Sequence, residues 1–199
     1  MRYRDMMHVV DLSFRYPQAG VFDKLSFSIP AGVTLVQGGD GRGKTTLLRL
    51  LAGDLQPQSG QICHDAAPLP VFWVDPRSTA HDHVKANDYL DQQAEKWPKF
   101  DRESLSPLIE GLSLTEFLDK PLYMLSTGSK RKVWLAVAFA SHADVALLDD
   151  PFAALDKPSI HFVTELLRGV ATQRERAIVI SGFEAPGSLP LAGLIDLGQ

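Results

Sequence analysis

The chain has 199 residues, 45% of them hydrophobic, which is enough for one sizeable core and a small subdomain. Its formal net charge of −4 gives no sign of the basic surface that binds nucleic acid or an anionic membrane, and its single cysteine, Cys63, excludes a disulfide framework and a cysteine-based zinc site. No apolar run is long enough to span a bilayer, so we expect a cytoplasmic protein that reaches a membrane only through a partner.

The first third of the sequence predicts strands and then one helix. Apolar and β-branched residues indicate a strand from His8 to Phe14, one or two strands within Val21–Ile29, and another from Val33 to Gln37. The next apolar segment, Thr45 to Ala52, predicts a helix with Gly53 at its C-cap. A loop over 56–60 and short strands over 61–63 and 71–74 follow.

The middle of the chain, from about 83 to 125, is more polar and is interrupted by prolines. Short helical segments are predicted around 86–96, 103–110 and 114–118. We interpret this stretch as a small helical subdomain. No linker is long enough to make it independent, so we expect a single domain over residues 1–199.

The last third alternates helices with strands. It predicts a long helix from Ser129 to Ser141, a strongly apolar strand from Val145 to Leu148, a helix over 159–170, a strand over 177–180 and a short last strand over 194–197. Strands that alternate with helices imply a mainly parallel α/β sheet with helices on both faces. In such sheets ligands bind beyond the carboxyl ends of the strands.

A glycine-rich stretch between a predicted strand and a predicted helix matches the phosphate-loop pattern G-x-x-x-x-G-K-[ST]. Glycines let backbone N–H groups surround a phosphate closely, Lys44 supplies a cation for the terminal phosphates, and the hydroxyl of Thr45 is a ligand for Mg²⁺. The predicted nucleotide-binding residues are Gly38, Gly39, Asp40, Gly41, Arg42, Gly43, Lys44, Thr45 and Thr46.

A pair of acids ends the most apolar strand. Asp149 and Asp150 follow Leu148, at the sheet edge where the phosphate loop is also expected. Asp149 is therefore a candidate ligand for Mg²⁺ beside Thr45. The alternative is an ordinary buried strand followed by two solvated acids.

A third motif, LSTGS at 125–129, precedes the long helix. Ser126 or Thr127 can cap this helix. Three cations then occupy its first turn, 130–132, where the helix dipole disfavours positive charge. This arrangement indicates that an anion approaches this end of the helix.

The order of these motifs resembles the ATP-binding cassette (ABC) ATPases over nearly the whole chain. GGDGRGKTT resembles Walker A, LSTGS the signature (LSGGQ in most members), VALLDDP Walker B, and AALD at 153–156 the D-loop. Tyr16, in LSFRYP, falls where the family has an aromatic residue that stacks on adenine. The alternative for Tyr16 is a strand-end aromatic that covers the core.

The resemblance implies a P-loop NTPase core with a mainly parallel sheet, an N-terminal antiparallel β part and a small helical subdomain. The ATP-binding core would comprise 1–74 and 126–199, and the helical subdomain about 83–125. The resemblance also implies a head-to-tail dimer, a homodimer or a heterodimer with a second cassette. In it, each ATP lies between the Walker motifs of one subunit and the signature of the other, where the Ser126 hydroxyl and the Gly128 N–H contact the γ-phosphate.

The hydrolytic positions depart from the family pattern. Asp150 stands where the family has the glutamate that polarises the attacking water, and it is one methylene shorter. Phe183 falls at or near the position of the switch histidine, and phenylalanine makes no such hydrogen bond. Asp75 and its neighbours replace the glutamine after the strand at 71–74. His142 and His161 lie on predicted helices and are expected to be ordinary surface or interhelical residues.

The binding positions depart less. Thr127 and Ser129 replace glycine and glutamine in the signature, and Arg42 is bulkier than the usual small residue of the phosphate loop. Two explanations compete: the cassette binds ATP and hydrolyses it slowly or leaves turnover to a partner, or Asp150 and other groups form a fully active site. We favour the first because it needs no unseen compensation.

The leading hypothesis for function is the ATP-binding subunit of a multi-subunit ABC transporter, peripheral to the inner face of a membrane through a separate permease. The short chain resembles small importer and exporter ATPases, including the haem-exporter type of cytochrome c maturation. A nucleic-acid-linked cassette is disfavoured because the stretch from Gly53 to Leu125 is too short for a coiled-coil insert. A non-catalytic ATP-sensing or assembly cassette is the third alternative.

Overall fold

The computed structural model describes residues 4–64, 69–187 and 189–198, and the structural statements below concern these residues. In chain order, the elements are β1 (Asp5–Tyr16), β2 (Ala19–Pro30), β3 (Gly32–Gln37), α1 (Lys44–Leu51), β4 (Ser59–Cys63), β5 (Val71–Trp73), α2 (Ala86–Lys96), α3 (Leu105–Gly111), α4 (Thr127–Ala140), β6 (Val145–Leu148), α5 (Lys157–Gln173), β7 (Ala177–Gly182) and β8 (Gly193–Asp196). Two short 3₁₀ turns, Thr115–Phe117 and Leu122–Met124, lie between α3 and α4.

The strands form two sheets. A three-stranded antiparallel sheet has the order β2-β1-β4, and a five-stranded sheet has the order β5-β6-β7-β3-β8 with every adjacent pair parallel. All four residues of β6 are buried, as expected for a strand covered on both faces. This arrangement confirms the predicted α/β class, with a parallel sheet and an N-terminal antiparallel part.

The register of the parallel sheet determines which residues lie side by side at the carboxyl ends of its strands. Leu148 of β6 pairs with Ile180 of β7, and Val36 of β3 pairs with Ser181. The residues just beyond β6 therefore lie beside the end of β7, and the phosphate loop begins one strand further along.

The described residues pack into two compact units. The first unit comprises the described residues up to Trp73, then Asp144–Asp150, and those from Leu167 onward. It holds both sheets and α1, with one apolar core that includes Met7 and Leu12 of β1, Leu47 of α1 and Leu147 of β6.

The second unit comprises Val74–Ala143 and Pro151–Leu166 and is helical. In it α4 packs against α2 and α3, and each of the three helices contributes a buried leucine: Leu90, Leu108 and Leu135. The backbone N–H of Asp101 also donates to the carbonyl of Ala140 at 2.8 Å. The predicted bounds of an ATP-binding core and a helical subdomain stay a prediction.

Several predicted boundaries differ from the structure. Strand β1 continues to Tyr16 because its pairing with Ala19 closes a two-residue turn beyond the apolar alternation. Residues 59 and 60, predicted as loop, belong to β4, because Ser59 pairs with Ser13 beyond a bulge in β1. The segment 114–118 is only a 3₁₀ turn, since so short a helix does not offset its nucleation cost.

Two further corrections concern helix ends. Helix α4 begins at Thr127 rather than Ser129, because Ser126 is its N-cap. His142 lies beyond the end of α4 in a left-handed conformation (φ 45°), so its prediction as a helical residue is wrong. Gly53 is also left-handed (φ 81°), one residue past the C-cap Ala52.

Candidate functional site

The phosphate loop runs from the end of β3 to the start of α1. Gly41 and Gly43 have φ angles of 74° and 95°, in the left-handed region that side chains rarely adopt. A Cβ on Gly43 would also stand 2.6 Å from Cγ1 of Val21. Glycine is therefore required at Gly43 both by the backbone and by packing. Asp40 and Arg42 of the loop are exposed, and Thr46 is buried in α1.

Lys44 lies against this loop. Its Nζ donates hydrogen bonds to the carbonyl oxygens of Gly38 at 2.7 Å and Gly39 at 2.9 Å. The N–H of Gly39 in turn donates to the carbonyl of Gly198 at 3.0 Å, which ties the loop to the chain after β8. The ammonium group is thus held on the segment predicted to surround the phosphates.

Thr45 and Asp149 are brought together although 104 residues separate them. The Thr45 hydroxyl donates to Oδ2 of Asp149 at 2.7 Å. A hydroxyl and a carboxylate are the hard oxygen ligands that Mg²⁺ takes, and Mg²⁺ fills its remaining positions with water and substrate phosphates. The donor set of this pair therefore fits Mg²⁺. Thr45 lies in α1 and Asp149 directly follows β6, so both candidate ligands are positioned by regular elements.

Ser181 contacts the same carboxylate from the other side. Its Oγ donates to Oδ1 of Asp149 at 2.6 Å and accepts the backbone N–H of Asp150 at 2.9 Å. Sequence reasoning did not single out Ser181 as a site residue. The signal that identifies it is the pairing of Leu148 with Ile180, which sets the next residue of each strand side by side.

The two hydrolytic positions are exposed. Asp150 has a left-handed backbone (φ 47°), and Phe183 is 70% exposed, the most exposed of the large apolar residues described. Asp150 directly follows Asp149, the candidate metal ligand, and Phe183 lies just after β7. The catalytic role of Asp150 stays a prediction.

Tyr16 ends β1 beside the start of α1. Its hydroxyl lies 3.3 Å from Oγ1 of Thr46, and its ring meets Phe14 edge-on, with centroids 5.1 Å apart. Tyr16 is nevertheless 38% exposed, whereas Phe14 is buried. The aromatic ring thus stands next to the phosphate loop with surface left for a base, and its stacking on adenine stays a prediction.

The signature segment has a separate structural requirement. Ser126, not Thr127, caps α4: its Oγ accepts the backbone N–H of Ser129 at 3.1 Å. Gly128 is buried, and a Cβ there would stand only 2.2 Å from the carbonyl oxygen of Ala154. Any larger residue at Gly128 would therefore collide with the loop before α5.

The three cations after the signature have partners inside the second unit, so their position does not require an anion; the approach of an anion to this helix end stays a prediction. The Nζ of Lys130 lies 2.6 Å from Oδ1 of Asp82, and that of Lys132 lies 2.5 Å from Oδ2 of Asp156. Arg131 donates to a backbone carbonyl at 2.6 Å, that of Ala153. These partners offset the unfavourable helix-end charge without a nucleotide.

The Lys132–Asp156 contact also organises the start of α5. The hydrogen bond from Lys132, followed by that from the backbone N–H of Ser159, holds the pKa of Asp156 well below its usual range. The 2.9 Å bond from Ser159 to Oδ1 places Asp156 as a cap for the first turn of α5. The D-loop is therefore fixed at both ends by α4 and α5 residues of the second unit.

Three remaining predicted residues lie in the second unit. Asp75 closes a local turn, its Oδ1 accepting the backbone N–H of Arg77 at 2.9 Å. His142 Nε2 is 3.9 Å from Oδ2 of Asp101, and His161 is exposed on α5. Both histidines thus lie at the surface of this unit, as predicted for ordinary surface residues.

Among the residues that the structure describes, no helix combines the length and the apolar character needed to cross a bilayer.

Comparison with known proteins gives consistent matches. The family model described as ABC transporter matches residues 22–153. The cytochrome c biogenesis ATP-binding export protein CcmA of Pseudomonas fluorescens is 30% identical over 191 residues, covering 90% of each chain. YusV of Bacillus subtilis, named as the ATP-binding protein of a siderophore transport system, is 30% identical over 187 residues, covering 85% of this chain and 68% of its own.

A solved structure agrees with these relatives. An ABC transporter ATP-binding protein from Pyrococcus furiosus superposes with a TM-score of 0.78 and 25% identity, covering 96% of each chain. The phosphate loop, the Thr45–Asp149 pair and the signature at the head of α4 all fall within the residues that the family model matches. The chain belongs to the ABC transporter family, as an ATP-binding protein.

Proposed function

We propose that this chain is the ATP-binding subunit of a multi-subunit ABC transporter, which binds MgATP and hydrolyses it slowly to drive a separate membrane permease. The observation that carries the proposal is the 2.7 Å contact between Thr45, in the phosphate loop, and Asp149, which follows β6. Membership of the ABC transporter family supports ATP hydrolysis coupled to transport.

Binding is assigned to residues of the first unit. The N–H groups of the phosphate loop and the Lys44 ammonium hold the β- and γ-phosphates, and Tyr16 stacks on the adenine. Thr45 and Asp149 would hold Mg²⁺, which would supply positive charge to neutralise the phosphates. In this proposal the positive charge of Lys44 faces the phosphates, and the negative charge of Asp149 faces the metal.

Slow hydrolysis follows from the groups around the attacking water. Asp150 is the candidate that orients this water and accepts its proton, but its carboxylate is one methylene shorter than the family's glutamate. A displacement of about 1 Å costs roughly a hundredfold in rate. Phe183, exposed at the end of β7, provides no polar atom for the γ-phosphate.

Assembly supplies what one subunit lacks. In a head-to-tail dimer the partner's signature completes the γ-phosphate site. When the partner is a second copy of this chain, its Ser126 hydroxyl and Gly128 N–H do so, and a different cassette would use its own signature. ATP then closes the dimer, and the permease responds to this closure. Contact with the permease would hold the dimer at the inner face of the membrane. The relatives differ in cargo, one in siderophore transport and others in cytochrome c biogenesis, so we assign none.

The experiment that tests this proposal removes the Asp150 charge. Asp150→Asn is expected to lower ATP turnover at least about a hundredfold, because the water loses its proton acceptor, while ATP affinity stays within about twofold. ATP hydrolysis and ATP-dependent dimerisation are measured together, and the variant is expected to accumulate the closed dimer. The matched control is Asp88→Asn, an exposed acid in the first turn of α2.

Unchanged turnover in Asp150→Asn would show that Asp150 has no catalytic role. A second candidate function, an ATP-sensing cassette without turnover, is favoured by the exposed phenylalanine at the switch position. It predicts nucleotide binding and dimerisation with no hydrolysis, both alone and with the permease present.

A further inference from the structure

We propose that Ser181 is a positioning residue for the metal site: its hydroxyl orients the Asp149 carboxylate for Mg²⁺ and fixes the backbone that carries Asp150. This inference rests on the proposed function. It adds a residue that the motifs of the family resemblance do not include, and it assigns a role to a buried hydroxyl that sequence reasoning passed over.

The direction of each hydrogen bond is determined by its partners. The backbone N–H of Asp150 can only donate, so the Ser181 oxygen accepts this bond at 2.9 Å. The single hydroxyl proton is then left for Oδ1 of Asp149, at 2.6 Å. Ser181 is 2% exposed, so water does not readily replace either bond.

The two carboxylate oxygens of Asp149 are therefore held by two different hydroxyls. Thr45 donates to Oδ2 at 2.7 Å, and Ser181 donates to Oδ1 at 2.6 Å. A carboxylate held at one oxygen can rotate about its terminal bond, whereas one held at both is fixed in plane and orientation. Groups of this kind behind a metal ligand typically contribute 10- to 100-fold to metal affinity.

Ser181 also supports an uncommon backbone conformation. Asp150 has φ 47°, and non-glycine residues in this region carry a conformational cost. The chain turns here immediately after β6 ends, and Ser181 accepts the N–H at this turn. The side chain of Ser181 thus contacts both Asp149, the candidate metal ligand, and the backbone of Asp150, the candidate catalytic residue.

The parallel register accounts for this placement. Leu148 pairs with Ile180, so Asp149 and Ser181 are the next residues at the same edge. Successive side chains of a strand point to opposite faces, so a shift of one residue would move the hydroxyl away from the carboxylate. The position of Ser181 is therefore set by the buried strands rather than by a mobile loop.

If Ser181 only stabilised the ends of β6 and β7, replacing it would change the stability of the fold but not the affinity for metal. The discriminating measurement is therefore metal affinity, read by electron paramagnetic resonance of Mn²⁺ bound to the protein–ADP complex. Wild type, Ser181→Ala and Ser181→Cys are compared, with ADP affinity in EDTA as a metal-free reference. Ser141→Ala is the matched control, because Ser141 is equally buried and also makes one donor and one acceptor bond, both to backbone.

Ser181→Ala is expected to raise the Mn²⁺ dissociation constant about 10-fold or more, since Asp149 loses one of its two orienting donors. Ser181→Cys, whose thiol is a weak donor, is expected to lie between Ser181→Ala and wild type, and it serves as the deciding variant if Ser181→Ala does not fold. ADP affinity in EDTA is expected to stay within about twofold in every variant, and Ser141→Ala to match wild type in both measurements.

Mn²⁺ affinity within twofold of wild type in the folded Ser181 variants would overturn the inference. An equal loss in EDTA and in Mn²⁺ would also overturn it, because it would indicate general damage to the fold. Failure of the proposed function gives a different result: wild type itself would bind no ADP, with or without the metal.

Discussion

At the scale of single residues, the contrast between the binding and hydrolytic positions is the main feature of this cassette. Lys44, Thr45 and Asp149 all have hydrogen-bond partners within the candidate site. Asp150 and Phe183 are exposed, and neither residue type matches the family's hydrolytic pair. The expected outcome is a protein that binds ATP well and turns it over slowly.

Restoring the family pair tests this contrast. The double variant Asp150→Glu/Phe183→His is expected to hydrolyse ATP at least about 10-fold faster than wild type, because the longer carboxylate reaches the water and the imidazole can hydrogen-bond the γ-phosphate. Steady-state ATPase rates check this, with each single variant as a control. An unchanged or lower rate would contradict our account of the departures.

At the scale of elements, features defined by a local sequence pattern could be predicted, whereas contacts between residues distant in sequence could not. The phosphate loop and β6 could be predicted because a contiguous motif or apolar run defines each of them. The partners of Lys130, Arg131 and Lys132 could not, since Asp82, Ala153 and Asp156 are distant in sequence. Ser181 was missed for a similar reason: its contact with Asp149 depends on how β6 and β7 pair.

The close approach of α4 to the D-loop gives a prediction at the element scale. Gly128→Ala is expected to destabilise the protein by about 1–3 kcal/mol, because the new Cβ would stand 2.2 Å from the Ala154 carbonyl. Gly169→Ala is the matched control: Gly169 lies inside α5, and a Cβ there meets nothing within 4 Å. This control is expected to be stabilising by up to about 1 kcal/mol.

Urea unfolding of both variants measures the difference. If Gly128→Ala is as stable as wild type, the packing of α4 against the Ala154 carbonyl is not as close as described. The requirement for glycine at the signature would then come from the nucleotide alone.

At the scale of the whole molecule, the chain passes between the two units at segments predicted to be functional. It leaves the first unit after Trp73, just before Asp75, and again after Asp150. In ABC ATPases these two positions carry the glutamine and the catalytic glutamate, according to the resemblance. These two crossings follow the ends of β5 and β6, respectively.

The central claim is that the Gly38–Thr46 loop, together with Asp149, binds magnesium-bound ATP. Isothermal calorimetry of the wild-type chain with ATP, in Mg²⁺ and in EDTA, tests it most directly, with Lys44→Ala as the comparison. Saturable binding of one ATP per chain, tighter in Mg²⁺ than in EDTA, is expected. Lys44→Ala is expected to weaken binding by about 10- to 100-fold, since a charged donor to the phosphates is lost. No heat of ATP binding to wild type in Mg²⁺, or equal binding to Lys44→Ala, would contradict the central claim.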